Sequence, residues 1–315
     1  MHPAASIIAF TTLSGAGYGL LLVLTLGSLV GLIPELRWIG LSGMVLALGL
    51  ITLGLLSSTF HLGHPERAWR AVSQWRSSWL SREGVLALAT YLPALIFAFG
   101  WVVLGTTGGI FWLFGLLAAA GAVATVWCTG MIYASLKPIR HWHHPLVVPV
   151  YLGFALMTGA LLAQLVLSWF DVARGRAGWL AVGATLLAFG LKTAYWRLIA
   201  GDQPVSTPES ATGLGRFGLV GMLDPPHTET NYLLDEMAFR IGRRHARKLR
   251  RLCYGIGLGG ALVLTLLAMP ASGVVAGVLA LLAALAGLAG VAIERWLFFA
   301  EARHTVRLYY GRRAA

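Results

Sequence analysis

The chain has 315 residues, of which 57% are hydrophobic and 11% are charged. Soluble domains carry roughly 25% charged residues, so this composition excludes a soluble globular protein and indicates a surface that faces lipid. The net charge is +12, from 24 Lys and Arg against 12 Asp and Glu, but the basic residues are confined to certain loops. That distribution fits membrane orientation and partner docking better than nucleic-acid binding, and no nucleic-acid partner is expected.

Eight apolar runs are long enough to cross a bilayer as helices, each of which needs about 20 residues. They lie at 5–33, 39–62, 84–106, 109–136, 145–170, 177–200, 250–269 and 272–296. The first run is too long for the apolar core of a signal peptide, which has ~7–15 residues, and is interpreted as a membrane helix. Gly108 and Gly109 separate the third run from the fourth, and Pro270 with Gly273 predicts a tight turn between the last two.

The predicted fold is an all-α membrane protein, a bundle of eight transmembrane helices in three regions. Residues 1–200 carry helices one to six, 201–249 form a soluble loop, and 250–315 carry helices seven and eight with a basic tail. The loop contains a predicted helix from Thr230 to Arg251, acidic at its start and basic at its end, which suits the helix dipole. Two compatible interpretations are an amphipathic helix on anionic lipid and a docking surface for a soluble partner.

The Lys and Arg residues predict the orientation of this bundle. Twenty of them lie in the loops after the second, fourth and sixth helices and in the C-terminal tail, to which Arg295 is assigned. Arg37, Arg174 and Arg176 lie on the opposite side, and Lys192 lies inside the sixth helix. Because cytoplasmic loops carry the excess of basic residues, both termini are predicted to be cytoplasmic, in a bacterial inner membrane.

Glycines cluster in two of the predicted helices. Small residues let helix backbones approach closely in lipid, so these glycines predict close helix packing. The clusters are Gly15, Gly17 and Gly19 in the first helix, and Gly255, Gly257, Gly259 and Gly260 in the seventh. The two cysteines, Cys128 and Cys253, have neither metal-ligand spacing nor a disulfide framework and are predicted to be ordinary small apolar residues.

Polar residues in or near the predicted spans concentrate at the cytoplasmic side. His61 ends the second helix and Glu83 begins the third, so these two residues are expected to meet at one membrane face. A histidine that titrates near neutral pH beside a carboxylate is a proton-handling pair. A quinone needs such a pair, because its reduction takes two electrons and two protons and its carbonyls need hydrogen-bond donors. The same helix ends offer a lipid-facing apolar crevice for an isoprenoid tail.

Simpler interpretations stay open for each member of this pair. The segment at Leu80 and Ser81 has the pattern of a helix N-cap, with Glu83 favoured by the positive end of the helix. His61 alone fits an interfacial histidine bonded to a loop carbonyl. The other histidines interpreted as interface or loop residues are His64, His141, His143 and His144. No histidine lies in the middle of a predicted span, where a b-type haem takes its axial ligands, so no haem is expected.

At these residues the sequence resembles the membrane-anchor subunits of dimethyl sulfoxide reductase-type molybdoenzymes. The resemblance is carried by the eight-helix layout and by His61-Leu62-Gly63, Pro65, Arg67-Ala68, Leu80-Ser81, Glu83 and Arg295. In that family the anchor binds a quinone and holds an iron–sulfur subunit, which contacts a molybdopterin catalytic subunit. The resemblance therefore implies a quinone (ubiquinone or menaquinone) in this chain, with iron–sulfur clusters and molybdopterin only in the partner subunits.

The resemblance also implies roles for individual residues. The quinone-site histidine of the family falls on His61, and its acidic partner falls on Glu83. Further candidates for lining the quinone are Ser81, Tyr133 and Arg295. Candidates for docking the iron–sulfur partner are Arg67, Arg70, Arg82, Arg243 and Arg244.

The basic loop 201–249 is not a general feature of that family and is similar to the anchor of its sulfite-oxidising members, the sulfite dehydrogenase complex. The Lys and Arg distribution agrees, because it places the predicted quinone end on the cytoplasmic face. Four alternatives remain: the anchor of a dimethyl sulfoxide or other reductase that uses quinol, a passive anchor, a haem-bearing anchor and a secondary transporter. A transporter predicts charged residues at mid-membrane, whereas Lys192 is the only basic residue within a predicted span and no acidic residue is predicted to lie deep.

Overall fold

A computed structural model describes residues 4–60, 64–200, 206–224, 241–302 and 304–310. Within these residues, eight helices are long and apolar enough to cross a membrane, as the sequence predicts. They are α1 (Ala5–Leu29), α2 (Arg37–Thr59), α3 (Trp79–Leu104), α4 (Ile110–Ala134), α5 (Val147–Trp169), α6 (Arg174–Ala200), α7 (His245–Ala268) and α8 (Gly273–Ala300).

Successive helices run in opposite directions, so their ends form two faces. The face at which α1 begins and α8 ends is called the basic face, because it carries the Lys- and Arg-rich loops. Its segments are joined by hydrogen bonds from Ser57 Oγ to the Ser6 carbonyl, 3.3 Å, and from the Tyr195 hydroxyl to the His141 carbonyl, 2.6 Å. On the opposite face, the Thr107 hydroxyl donates to Glu35 Oε1 at 2.5 Å and ties the loop after α3 to the loop after α1.

Two helices form the centre of the bundle. In the central stretch of α5, 83% of the residues are buried, and the corresponding share is 67% in α1 but only 28% in α7. Helix α1 packs against α2, α4, α5 and α8, and α5 packs against α1, α4, α6 and α8. Helices α2, α4, α6 and α8 pack directly on this pair, whereas α3 packs mainly on α4, and α7 packs mainly on α6 and α8. The outer surface faces lipid with exposed leucine, valine and tryptophan side chains. An apolar solvent tolerates such a surface, whereas water does not.

Tight helix crossings lie at glycines, and the predicted close packing is confirmed for Gly19 in the first cluster and for Gly257 in the second. A Cβ atom on Gly19 would lie 1.7 Å from the Ala155 carbonyl oxygen, so α1 and α5 meet backbone to backbone. A Cβ atom on Gly257 would lie 2.8 Å from the Gly290 Cα atom, where α7 crosses α8. A Cβ atom on Gly15 or Gly255 would meet no atom within 4 Å among the described residues, so the predicted close packing is wrong for these two glycines in the described part of the chain.

The predicted helix ends differ from the observed ones most at α3 and α8. Helix α3 begins at Trp79 rather than 84, because Ser78 caps it: its Oγ accepts a hydrogen bond from the Ser81 backbone N–H at 3.4 Å. Helix α8 continues to Ala300 rather than 296. Arg295 therefore lies inside a helix and not in the tail. The excess of Lys and Arg at this face over Arg37, Arg174 and Arg176 at the opposite face remains.

The segment before α7 is helical where the structure describes it. The described helix runs from Ile241 directly into α7, and α7 itself contains a π-helical stretch, Cys253–Gly260. The first part of the helix predicted from Thr230 lies outside the described residues. Both cysteines are buried free thiols, and Cys253 Sγ lies 3.3 Å from the Gly290 carbonyl oxygen, as a donor to it.

The crossing at Gly19 yields a test with a matched control. We expect Gly19→Ala to destabilise the protein by about 1–3 kcal/mol, because the added methyl group forces α1 away from α5. Gly183→Ala, at an exposed position of α6 where no described residue lies within 4 Å of the new Cβ, should leave stability nearly unchanged. Thermal unfolding in detergent measures both, and equal melting temperatures for the two variants would contradict close packing at Gly19.

Candidate functional site

Glu83 is a buried carboxylate close to the basic face. It lies in the second turn of α3 and is 3% exposed. The Thr129 hydroxyl of α4 donates a short hydrogen bond to Glu83 Oε1. Ser81 is also buried but is not the helix cap, because Ser78 has that role. A buried carboxylate without partners is strongly unfavourable, so Thr129 stabilises the position of Glu83 between α3 and α4.

The predicted partner of Glu83 is outside the described residues. His61 falls in the segment 61–63, so its contact with Glu83 stays a prediction. On either side of that segment, α2 ends at Thr59 and the chain resumes at His64. His64 is an exposed loop residue, as predicted, and its Nδ1 lies 3.0 Å from Glu66 Oε1. Helix α2 packs along α1, and α3 packs along α4. Deeper in the bundle, a hydrogen bond of 2.7 Å between the hydroxyl groups of Thr52 and Tyr91 joins α2 to α3.

An apolar groove opens to the lipid beside this carboxylate. It has a volume of about 550 Å³ and lies between α1, α3 and α4. Its walls include Leu22 and Leu26 of α1, Leu86 of α3 and residues of α4 up to Cys128. Leu86 is one helical turn beyond Glu83 in α3, and Cys128 directly precedes Thr129, whose hydroxyl bonds Glu83. One end of the groove therefore lies about one helical turn from the Glu83 carboxylate.

Tyr133 belongs to an aromatic cluster at the basic-face end of α4. Its ring centroid lies 5.2 Å from that of Trp142, 5.8 Å from that of Tyr151 and 5.4 Å from that of Phe298. The indole N–H of Trp142 donates to the Phe298 carbonyl at 3.0 Å. These contacts join α4, the following loop, α5 and α8. Tyr133 thus packs mainly against the protein's own aromatic side chains.

Arg295 and two further charged residues form a buried cluster between α6 and α8. Lys192 forms an ion pair with Glu294 Oε1, and Arg295 Nη1 lies 3.1 Å from Glu294 Oε2. The three side chains are 0–2% exposed. The Arg295 guanidinium carbon also lies 3.4 Å from the Tyr151 ring centroid, a cation–π contact.

This buried ion cluster is not predicted from the sequence. Glu294 and Glu83 are both buried within the protein, although each lies within about two helical turns of a helix end at the basic face. The available signal was Lys192, since a cation within a membrane helix requires a partner of opposite charge. Among the residues that the structure describes, no three His, Cys, Asp or Glu side chains come together as a metal site.

The candidate docking arginines lie on or near the basic face. Arg67 is exposed, and Arg70 lies beside Trp69, with 5.5 Å from its guanidinium carbon to the ring centroid. Arg82 donates to two loop carbonyls, those of Trp75 at 3.0 Å and Arg76 at 2.7 Å, so it also holds the loop after α2. The remaining two candidates, Arg243 and Arg244, lie in the helix that leads into α7.

Residues 1–201 match the family described as DMSO reductase anchor subunit (DmsC). The chain belongs to this family. The anchor subunit is also 34% identical over 336 residues to a subunit of the sulfite dehydrogenase of Allochromatium vinosum, an alignment that covers 98% of this chain and 99% of the relative. No solved structure matches it.

This membership establishes the chain as a multi-pass membrane anchor subunit of an oxidoreductase complex, associated with catalytic and electron-transfer subunits. The resemblance stated from His61, Glu83 and their neighbours is thereby confirmed at the level of the family. The transporter alternative finds no support in either match.

The buried ion cluster of the anchor subunit predicts a graded loss of stability. Glu294→Gln should destabilise the protein by about 3–5 kcal/mol, because it leaves Lys192 and Arg295 buried without an anion. Lys192→Met should be less harmful, because Glu294 and Arg295 still balance each other. Melting temperatures of the purified variants measure the difference, and a greater loss for Lys192→Met would contradict this assignment of charges.

Proposed function

We propose that this chain is the quinone-binding anchor of a sulfite-oxidising molybdoenzyme complex and passes electrons from an iron–sulfur subunit to membrane quinone. The observation that carries the proposal is a buried carboxylate, Glu83, which is bonded by Thr129 and lies about one helical turn from one end of a lipid-open apolar groove. A lipid-soluble electron carrier with a polar head requires that combination of proton-handling group and apolar channel. Neither a haem-bearing anchor nor a passive anchor requires a buried carboxylate beside a lipid-open apolar groove.

The residues present fit such a carrier. A bound quinone takes up two electrons and two protons. Glu83 holds a proton near the head group, and the hydroxyl of Thr129 fixes the carboxylate against α4. Leu86, Val123 and Trp127 form an apolar wall that excludes water and accepts an isoprenoid tail. His61, in this proposal, donates a hydrogen bond to one carbonyl of the head group, with Ser81 close to Glu83 in the same turn of α3.

The sulfite assignment rests on similarity along the whole chain. The relative named as a sulfite dehydrogenase subunit aligns with 98% of this chain, which includes the basic loop 201–249 absent from the 1–201 family match. The Lys and Arg asymmetry supports a cytoplasmic position for the basic face in a bacterial inner membrane. In this orientation Arg67, Arg70 and the helix from Ile241 meet the iron–sulfur subunit, which in turn contacts the molybdopterin subunit.

A second candidate is the anchor of a reductase in which quinol supplies the electrons, and the family description favours it. The two candidates share Glu83 and the groove but differ in substrate and direction of electron flow. Membranes that contain the assembled complex distinguish them by two rates: quinone reduction on addition of sulfite, and dimethyl sulfoxide reduction on addition of quinol. The sulfite assignment requires the first rate to dominate.

Proton handling by Glu83 gives the main functional prediction. In the assembled complex, Glu83→Gln and His61→Ala should each lower sulfite-dependent quinone reduction by roughly 100-fold, the lower bound for a general acid–base group. Glu66→Gln is the matched control, because Glu66 is an exposed acid, 62% accessible, in the loop between the same two helices. Reduction of a water-soluble dye by the catalytic subunits should stay unchanged in all three variants.

Normal quinone turnover in both Glu83→Gln and His61→Ala, with the complex intact, would reject the quinone site. Loss of dye reduction as well would instead indicate failed assembly. Arg82→Ala provides that comparison, because loss of its two carbonyl contacts disturbs the loop after α2 without removing Glu83.

The groove predicts a dependence on the length of the quinone tail. Ala124→Trp narrows the groove and should raise the KM for a long-chain quinone about tenfold, whereas the KM for a quinone with a short tail should change little. Ala194→Trp is the control, because Ala194 faces outward on α6, away from α3 and α4. Equal effects of Ala124→Trp on both quinones would show that the tail does not occupy this groove.

A further inference from the structure

A small, partly open cavity lies between the helices of the bundle, with Arg295 of the buried ion cluster and Thr129, the partner of Glu83, in its walls. Its volume is about 10 Å³, and α1, α4, α5 and α8 contribute to its walls. Thr129, whose hydroxyl donates to Glu83, lines one part of it, and Arg295 lines another. The cavity therefore separates the cation of the ion cluster from the carboxylate of the candidate quinone site. It is distinct from the apolar groove, which lies on the lipid side of α4.

Apart from Arg295 Nη1, which is ion-paired with Glu294, three buried polar atoms of the residues that line this cavity have no hydrogen-bond partner among the residues that the structure describes. They are Thr12 Oγ1 on α1, the Tyr151 hydroxyl on α5 and Arg295 Nε on α8. The exposed fractions of these residues are 7%, 3% and 2%. Nearly all buried polar groups in proteins are hydrogen-bonded, so three unsatisfied atoms at one cavity require a partner that the side chains do not supply.

The neighbouring hydroxyl groups of the cavity are already satisfied. Ser14 donates to the Phe10 carbonyl at 2.6 Å, and Thr158 donates to the Phe154 carbonyl at 2.8 Å, each within its own helix. The missing partner is therefore needed only by the three atoms on α1, α5 and α8.

One water molecule has the right size and chemistry. A cavity needs roughly 10–15 Å³ of this kind of volume to hold a water, and a buried water makes about 2–4 hydrogen bonds. Such a water accepts from Arg295 Nε–H and from the Tyr151 hydroxyl, and it donates to Thr12 Oγ1 and Thr129 Oγ1. Thr129 Oγ1 can accept this bond because its own hydrogen is donated elsewhere, to Glu83 Oε1 with the Thr125 carbonyl at 3.1 Å as a second acceptor.

We propose that the cavity binds one water that joins Arg295 to the Thr129–Glu83 pair, so that Arg295 is a positioning residue for Glu83. The consequence for turnover rests on the proposed function of Glu83, whereas the water itself does not. Lys192, Glu294 and Arg295 together carry one excess positive charge when all are ionised, and ionised Glu83 balances it. The water connects Arg295 of the positively charged ion cluster, through Thr129, to the negatively charged Glu83. Arg295, buried against Tyr151, acts on the quinone site through this connection and does not contact the quinone.

The water is tested by structure determination of the intact complex at a resolution that shows ordered solvent. Density is expected within hydrogen-bond distance of Arg295 Nε, the Tyr151 hydroxyl and Thr12 Oγ1. The double variant Thr12→Val/Tyr151→Phe removes two of its partners and should abolish the density, while the aromatic ring remains against Arg295. An empty cavity in the unmodified complex would overturn the proposal, whatever the turnover of any variant.

The connection to Glu83 is tested by a double-mutant cycle. Thr12→Val/Tyr151→Phe should lower kcat for quinone reduction about tenfold and leave the quinone KM unchanged. This loss is smaller than the roughly 100-fold loss expected for Glu83→Gln, because Glu83 itself remains. In a Glu83→Gln background the same double variant should have no further effect. Thr185→Val is the control: Thr185 is a buried threonine of α6 outside the cavity, its hydroxyl bonds the Ala181 carbonyl of its own helix, and kcat should stay unchanged in both backgrounds.

An equal further loss in the Glu83→Gln background would overturn the connection, because the hydroxyls would then act independently of Glu83. Normal turnover of Glu83→Gln itself would reject the quinone site and the connection together, while the density experiment still decides whether the water is bound.

Discussion

The interior of a bilayer supplies no hydrogen bonds, and every polar group of a membrane-spanning helix must find its partner within the protein. In this chain that constraint decides where each charged residue lies. Glu83 is bonded by Thr129, Lys192 pairs with Glu294, and Arg295 lies against both Glu294 and Tyr151. The lipid-facing surface is left to apolar side chains, so any group that handles charge or protons must lie on an inward face or at a helix end.

Close packing at glycine makes these inward contacts possible. The backbone contact of Gly19 with Ala155 draws α1 against α5, and that of Gly257 with Gly290 draws α7 against α8. A bundle with larger residues at these positions would separate the central helices. The cavity at Thr12, Tyr151 and Arg295 would then be wider, and the three atoms would no longer share one small site.

The fold was predictable from the sequence because helix number follows from hydropathy, and hydropathy is a local property. The location of Glu83 near the start of a membrane helix was predictable for a similar reason, whereas its hydrogen bond from Thr129 of α4 was not, because it joins two helices. The ion cluster was not, because it joins Lys192 to Glu294, about a hundred residues apart, and depends on the position at which α8 ends. Helix ends near charged residues are set by such partners, and a single sequence does not show them. The role of Gly15 was wrongly predicted because composition alone does not tell which side of a helix meets a neighbour.

The hydroxyl groups of α1 and the cation of α6 differ in how they enter the membrane during synthesis. Thr11, Ser14 and Thr25 donate to carbonyls one turn earlier in α1, so that helix carries these donors into lipid already satisfied. Lys192 pairs with a residue of α8, which the ribosome makes only after the loop and α7. Stable insertion of α6 therefore depends on a segment that does not yet exist when α6 leaves the ribosome. The last helix completes the membrane integration of the sixth, and a chain truncated before Glu294 would leave an unpaired cation within the bilayer.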